Sequence, residues 1–289
     1  MNNPIPPTLN ASYQECENLA FGHYENFPVA SLLLPKETRP HVAALYAFAR
    51  TADDFADEDK FEGRRILELN KWEKGFNEAL KGKKAHVPLQ AFAHTVKTFQ
   101  IPVSLPIDLL RAFRMDVARH RYSSWNALLY YCRHSANPVG RMVLFIHGYR
   151  DGKLHRLSDF ICSGLQLINF WQDTAIDLKR GRVYYPKEAL KKAGVLEKEL
   201  LKLKNSTETR RLVQAAVDYT ENYFRRGLPL LDLVNGRLKL ELRATYLGGI
   251  GILKKIRAMD YNVLEKRPSW NAFDKFGLIL RSLFGSISP

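Results

Sequence analysis

The chain has 289 residues, 46% of them hydrophobic and 26% charged, enough to bury a large core. No run of about 18 uninterrupted apolar residues occurs, which excludes a membrane-spanning helix at the level of sequence. A net charge of +14, from 44 Lys and Arg against 30 Asp and Glu, calls for an anionic partner: nucleic acid, an acidic membrane surface or a phosphorylated small molecule.

The amino terminus, MNNPIPPTLNASYQEC, has neither a basic nor an apolar leader region, so a cytoplasmic location is expected. Apolar residues recur at helical spacing in nearly every window and strand signals are almost absent, which predicts an all-α fold. A first helix is expected from Ser12, whose Glu15 completes a capping-box pattern, to about Asn26. Pro35 marks a connecting turn, and a long helix follows from near Lys36 to Glu58. Further helices are predicted over 62 to 81, 88 to 100, 105 to 119, 123 to 149 and 155 to 179. Gly181, Pro186 and Gly194 break the segment from Arg180 to Gly194 into a loop with one short helix, and two long helices follow over 206 to 226 and 229 to 258. No Gly/Ser linker or composition shift divides the chain, so one domain spanning 1 to 289 is expected.

Two helices carry polar stripes. Tyr46, Arg50, Asp53 and Asp57 are spaced 4, 3 and 4 apart, and Gln166, Asn169, Asp173 and Asp177 are spaced 3, 4 and 4, so each set shares one helical face. Like charges at i, i+4 cost a helix roughly 0.2 to 0.5 kcal/mol per pair, and burying them unpaired costs several times more. Something cationic is therefore expected between the two stripes. Arg50, Lys179, Arg180 and Arg182 would serve as ordinary ion-pair partners; the sharper alternative is Mg²⁺, which takes one or two carboxylates per ion and completes its octahedron with water and substrate phosphates. On that reading the pairs Asp53–Asp57 and Asp173–Asp177 hold metal, bridging ions fill the gap between them, and the basic charge stabilises a departing pyrophosphate.

Rival sites are missing from the sequence. There is no Walker loop, no strand-associated G-x-G-x-x-G and no G-x-S-x-G elbow. The basic residues are scattered without a zinc finger or RNP-like motif, which sets nucleic acid aside. Cys16, Cys132 and Cys162 lack metal or redox spacing and read as small buried hydrophobes. The eight histidines show no H-x-x-x-H spacing and read as surface or locally bonded residues, with His134 a candidate for a cavity wall.

These residues resemble the squalene and phytoene synthase family of all-α prenyltransferases. The likeness runs from SLLLPKETRPHVAALYAFARTADDFADE (31 to 58) through RMDVARHRY (114 to 122) and YYCRHSANPVGR (130 to 141) to LQLINFWQDTAIDLKRGRVYYP (165 to 186). RTADDFADE, SANPVGR and NFWQD are most similar to the branch that makes hydroxysqualene for hopanoids. The resemblance implies an isoprenoid-synthase-type helical bundle with a central cavity. It also implies Mg²⁺-assisted ionisation of presqualene diphosphate, rearrangement of the cation, and quenching by water, without NADPH. By position it makes Asp53 and Asp57 the first aspartate motif and Asp173 and Asp177 the second, with Arg50 and Tyr46 beside them. Arg39, Gln166, Asn169, Gln172, Arg182, Tyr184, Tyr131 and Asn137 then surround the substrate. Asp54 points about 100° away from the stripe and ranks as a weaker ligand.

Two departures from the family pattern narrow the reaction. Many relatives read N-x-x-R-D where this chain has Gln172, which removes one cation from the diphosphate site; and a tyrosine frequent before the Ile252–Leu253 pair is here Gly249, expected to leave room for water. Both weigh against condensation of two farnesyl diphosphates to presqualene diphosphate or dehydrosqualene, which stands as the second reading. A third, a non-catalytic lipid-binding or assembly relative, is disfavoured by four intact aspartates.

A carbocation needs a dry cavity and is stabilised by aromatic faces, for which Phe21, Phe27, Tyr46, Tyr131, Phe145, Phe170 and Trp171 are candidates against an ordinary core role. Pro138 should kink its helix and free the carbonyl of His134, aiming it or Asn137 at the cavity, unless the kink serves packing alone. C30 substrates imply peripheral contact at the inner membrane face and partner enzymes of the same pathway; FDKFGLILRSLFG (273 to 285) has the composition of an interfacial helix or of a terminal helix packed on the core.

Overall fold

The computed structural model describes residues 5–22, 34–118 and 120–270, with nothing described of the Phe21 side chain. Fourteen α-helices are found among them, and the sole β pairing there is an isolated bridge between Arg121 and Val183. The all-α expectation is met. The helices are α1 (Asn10–Gly22), α2 (Arg39–Asp57), α3 (Arg65–Leu80), α4 (Val87–Thr98), α5 (Ser104–Ala118), α6 (Trp125–Ser135), α7 (Asn137–Ile146), α8 (Gly152–Gln172), α9 (Thr174–Lys179), α10 (Lys187–Ala193), α11 (Glu197–Leu201), α12 (Thr207–Gly227), α13 (Leu230–Leu233) and α14 (Gly236–Ala258).

The chain forms two compact units. One comprises residues 1–118 and 138–155, the other 119–137 and 156–289. In the first unit α2 packs on α1, α3, α4 and α5. Its Val42, Leu45, Phe48, Ala52 and Ala56 are buried, as helical spacing requires of one face. Phe48 lies 4.5 Å from the Phe92 ring, 5.2 Å from Phe76 and 6.1 Å from Trp72, whose indole N–H donates to the Phe48 carbonyl. Met142 and Ile146 of α7 belong to this same core. In the second unit α12 packs on α10 and α14, α13 on α14, and α9 on α11. Trp171, fully buried, donates its indole N–H to Thr220 at 2.7 Å and stacks on Tyr185.

Several boundaries differ from the sequence reading, each for a local reason. Helix α1 starts at Asn10 after a 3-10 turn over Pro7–Leu9, so Ser12 is a buried residue inside the helix rather than its cap. The expected helix over 229 to 258 is two helices, because the chain is extended at Val234 and Asn235 and re-enters the helix through Gly236 at φ +62°, a conformation glycine adopts without steric cost. Around Pro138 the chain is interrupted at Ala136, and the expected single helix over 123 to 149 becomes α6 and α7. The 155 to 179 helix breaks at Asp173, where Thr174 returns its hydroxyl to the carbonyls of Phe170 and Trp171, a bond that competes with the helical ladder.

One buried polar cluster lay outside the sequence reading. The Tyr13 hydroxyl is 3.1 Å from His41 Nδ1, 2.8 Å from His94 Nδ1 and 2.9 Å from Thr95 Oγ1. Thr95 donates its own proton to the Ala91 carbonyl, so its oxygen accepts from this group. Burial, reinforced by His94, pushes the His41 imidazole down to about 4. A pKa below the unfolded value of roughly 6.5 makes this contribution complete above that pH and progressively lost as pH falls toward 4. The chain is expected to lose on the order of 3 kcal/mol from this group over that window. Denaturant midpoints measured from pH 7.5 to 4 should fall less steeply in His41→Gln than in the parent; equal slopes would refute the assignment.

Candidate active site

In the first unit one face of α2 carries Arg39, Tyr46, Arg50, Asp53 and Asp57 in register. Pro40 sits in the first turn, where its missing N–H costs nothing, and the Arg39 Nε–H donates to the Leu34 carbonyl at 3.0 Å. Arg50 is the cation that the acidic end of the helix demands, at 2.7 Å from Asp54 and 3.6 Å from Asp53. Asp54 thus turns toward the guanidinium, while Asp53 keeps a side chain 48% exposed. Burial raises the Tyr46 phenol above its ordinary value; Arg50 opposes this, and Asp54 and Asp53 add to it. The group therefore stays a proton donor at neutral pH.

In the second unit Gln166, Asn169, Asp173 and Asp177 keep their common face across the break at Asp173. The Asp173 N–H donates to the Asn169 carbonyl and the Asp177 N–H to the Asp173 carbonyl, both at 2.9 Å, so the helical register continues. Asn169 is exposed and Gln166 half-buried. The segment after α9 is laced onto residues 120–125: Val183 N–H to the His120 carbonyl at 3.0 Å, Lys187 N–H to Tyr122 at 2.9 Å, and the Trp125 N–H to the Glu188 carboxylate at 2.6 Å. Arg121 adds a 2.6 Å pair with Glu197. This lacing sets Arg182 and Tyr184. The Tyr184 ring stacks 3.7 Å from Phe170 and 5.9 Å from Tyr122, and Tyr131 lies 5.9 Å from both Phe170 and Tyr122, giving a cluster of four aromatic rings.

The other aromatic candidates fall elsewhere. Trp171 is core, and Phe145 packs on His155 and under Arg150. Phe27, the Phe21 side chain and the 273–285 segment lie outside the described residues. Asn137 is buried and accepts from the Ser163 hydroxyl at 2.9 Å, which ties it to α8. His134 donates its Nδ1–H to the Tyr130 carbonyl one turn back, the bland local bond. Cys16 and Cys132 are fully buried and Cys162 is half-buried, with burial pushing the Cys16 thiol up to about 12.

Two findings revise what the departures from the family pattern imply. Gln172 does not leave the second carboxylate pair without a cation, because the Arg267 Nε–H donates to Asp173 Oδ1 at 2.5 Å. No local signal announced Arg267, which is 94 residues away in the sequence. The expectation that Gly249 leaves room for water is corrected. A Cβ built there would lie 2.4 Å from Phe224 and 3.2 Å from Leu165, so the Phe224 ring, also seated against Gly164, fills that space.

Among the described residues no group of three or more His, Cys, Asp and Glu is placed to hold a metal ion. A dedicated all-protein cage is thus not built from them. The pairs fit a cation that takes one or two carboxylates and completes its shell with water and phosphate oxygens, as Mg²⁺ does.

Residues 21–274 match the squalene/phytoene synthase family model, and the chain belongs to that family. It is 34% identical over 239 residues to a hydroxysqualene synthase of Rhodopseudomonas palustris, covering 82% of this chain and 80% of that protein. The hydroxysqualene synthase of Zymomonas mobilis is 36% identical over 214 residues, with 71% and 70% covered. Among solved structures, squalene synthase HpnC from Alicyclobacillus acidocaldarius superposes with a TM-score of 0.85 at 37% identity, covering 89% of this chain and 97% of that one. A dehydrosqualene synthase in complex with ligand has a TM-score of 0.86 at 22% identity, covering 96% of each chain, a likeness of fold. The chain is accordingly an enzyme of this family, and no described helix is long and apolar enough to cross a membrane.

A tyrosine at position 249 would have to displace Phe224. Gly249→Tyr is expected to destabilise the second unit by about 1–3 kcal/mol through overpacking. Pairing it with Phe224→Ala should recover part of the loss in thermal melts; a Gly249→Tyr protein that melts with the parent would contradict the packing.

Proposed function

We propose that the chain converts presqualene diphosphate and water to hydroxysqualene and pyrophosphate, a Mg²⁺-dependent step in squalene and hopanoid biosynthesis. The observation that carries the reading is the survival of both carboxylate pairs in a chain 34–36% identical to proteins named hydroxysqualene synthase. When bound, Mg²⁺ would neutralise the diphosphate and help the C–O bond to break. Each unit supplies its own residues for such an ion: Asp53 and Asp57 on α2 in the first, and Asp173 and Asp177 with Asn169 on α8 and α9 in the second.

Arg50 holds the α2 carboxylates in a defined arrangement, and its guanidinium suits developing charge on phosphate oxygens. Tyr46, kept protonated, is a hydrogen-bond donor on the same face. The aromatic cluster of Tyr122, Tyr131, Phe170 and Tyr184 offers π-faces at roughly 0.5–2 kcal/mol each to a cation brought against them. Ionisation releases pyrophosphate with the bonding pair, the carbocation rearranges, water adds, and one proton is lost. The stoichiometry is redox-neutral, so no NADPH is needed.

Purified protein given presqualene diphosphate and Mg²⁺ without NADPH should release hydroxysqualene. A C30 product from farnesyl diphosphate alone would shift the reading to condensation, and turnover of neither by folded protein would favour a non-catalytic role. Asp53→Ala and Asp173→Ala are each expected to lower turnover at least about 10³-fold while circular dichroism stays unchanged; activity kept in both removes the metal assignment.

A further inference from the structure

The residues after α14 return to the second carboxylate pair as a short strap, Lys266–Trp270. Two bonds tie it to consecutive residues at the end of α8. Arg267 donates to Asp173, and the Gln172 side-chain amide donates to the Pro268 carbonyl at 2.6 Å. The strap is anchored on both sides of these bonds. Upstream, the Glu265 carboxylate accepts from Asn205 at 3.0 Å and Asn262 at 2.6 Å. Downstream, Trp270 lies over α14 where Gly251 has no side chain, since a Cβ there would come within 2.2 Å of the indole, and the Lys255 ammonium sits 5.6 Å from that ring's centroid.

We propose that Gln172 is a positioning residue: its amide seats the strap so that the Arg267 guanidinium lies on Asp173, bringing to the second carboxylate pair the cation that position 172 itself lacks. The argument turns on exposure. The Arg267 side chain is 51% exposed and that of Asp173 33%, and an ion pair so solvated gains little unless the long arginine is already held. Pro268 has a fixed φ and restricts Arg267 before it to extended backbone, so holding its carbonyl also orients its neighbour. Gln172 is suited to this because a primary amide is a neutral donor: it reaches a carbonyl without adding charge beside Asp173. The Gln172 amide contact is thus the means by which a residue 94 positions away acts on the site.

The inference rests on the diphosphate reading for its consequence, that Arg267 lies where phosphate oxygens would meet Asp173, but not for the strap itself. Two measurements separate them in the full chain: tryptic cleavage after Lys266 followed by mass spectrometry, and calorimetric binding of inorganic pyrophosphate with Mg²⁺. Gln172→Ala should speed cleavage and weaken pyrophosphate binding roughly tenfold, as loss of a held charge-assisted contact would. Arg267→Ala should weaken binding to a similar degree. Adding Gln172→Arg to Arg267→Ala should restore binding, because a guanidinium next to Asp173 then replaces the missing one; a purely structural role predicts no such rescue. Unchanged cleavage and affinity in Gln172→Ala, or a folded double variant without rescue, overturns the proposal. Wild-type protein that fails to bind pyrophosphate overturns the diphosphate reading, and the cleavage comparison then decides the strap on its own.

Discussion

Carboxylates one helical turn apart repel, and the chain meets each acidic group with an arginine. On α2 that cation is local: Arg50 lies one turn before Asp53 and Asp54 and contacts both. On α8 and α9 it arrives from 94 residues downstream, as Arg267. The two solutions differ in what they depend on. Arg50 is fixed by the helix that also carries the acids, whereas Arg267 depends on the packing of α14, on a notch at Gly251 and on an amide at Gln172. The second unit therefore devotes more of its architecture to holding one charge in place than the first does.

Aromatic packing is divided along similar lines. Phe48, Phe76, Phe92 and Trp72 form a core whose function is cohesion, and Trp171 does the same in the second unit with its single polar atom satisfied by Thr220. Tyr122, Tyr131, Phe170 and Tyr184 cluster beside the acidic helix instead, held by backbone bonds that lace the loop after α9 to residues 120–125. The same residue types are buried in both places, with Tyr122, Tyr131 and Phe170 each under a tenth exposed, and the difference lies in what the surrounding backbone is tied to.

Much of this was legible in the residues themselves. Helical periodicity gave the elements, because amphipathic spacing is a local property, and the 3- and 4-residue steps of the acidic stripes put their polar groups on common faces. What escaped was set by contacts distant in sequence or by competing local bonds. Nothing near Lys266 indicates that Arg267 meets Asp173, nothing near Gly249 shows that Phe224 fills its space, and the Tyr13–His41–His94–Thr95 cluster joins three separated helical segments. The break at Asp173 was readable in principle, since a threonine within a helix can return its hydroxyl to the carbonyl three or four residues back. Asn235–Gly236 was a turn signal overridden by strong periodicity on both sides.

The order in which the two units use the chain bears on how the protein is made. The first unit takes residues 138–155 from beyond a stretch that belongs to the second, and Met142 and Ile146 from that late segment complete the core around Phe48. A ribosome delivers residues in sequence, so helices α1 to α5 emerge well before the side chains that finish their core. Until residue 155 has cleared the exit, the nascent first unit exposes an incomplete apolar face. The stretch of synthesis over which a chaperone would meet that face is therefore set by the topology, and no cut of the chain at one point separates two complete units.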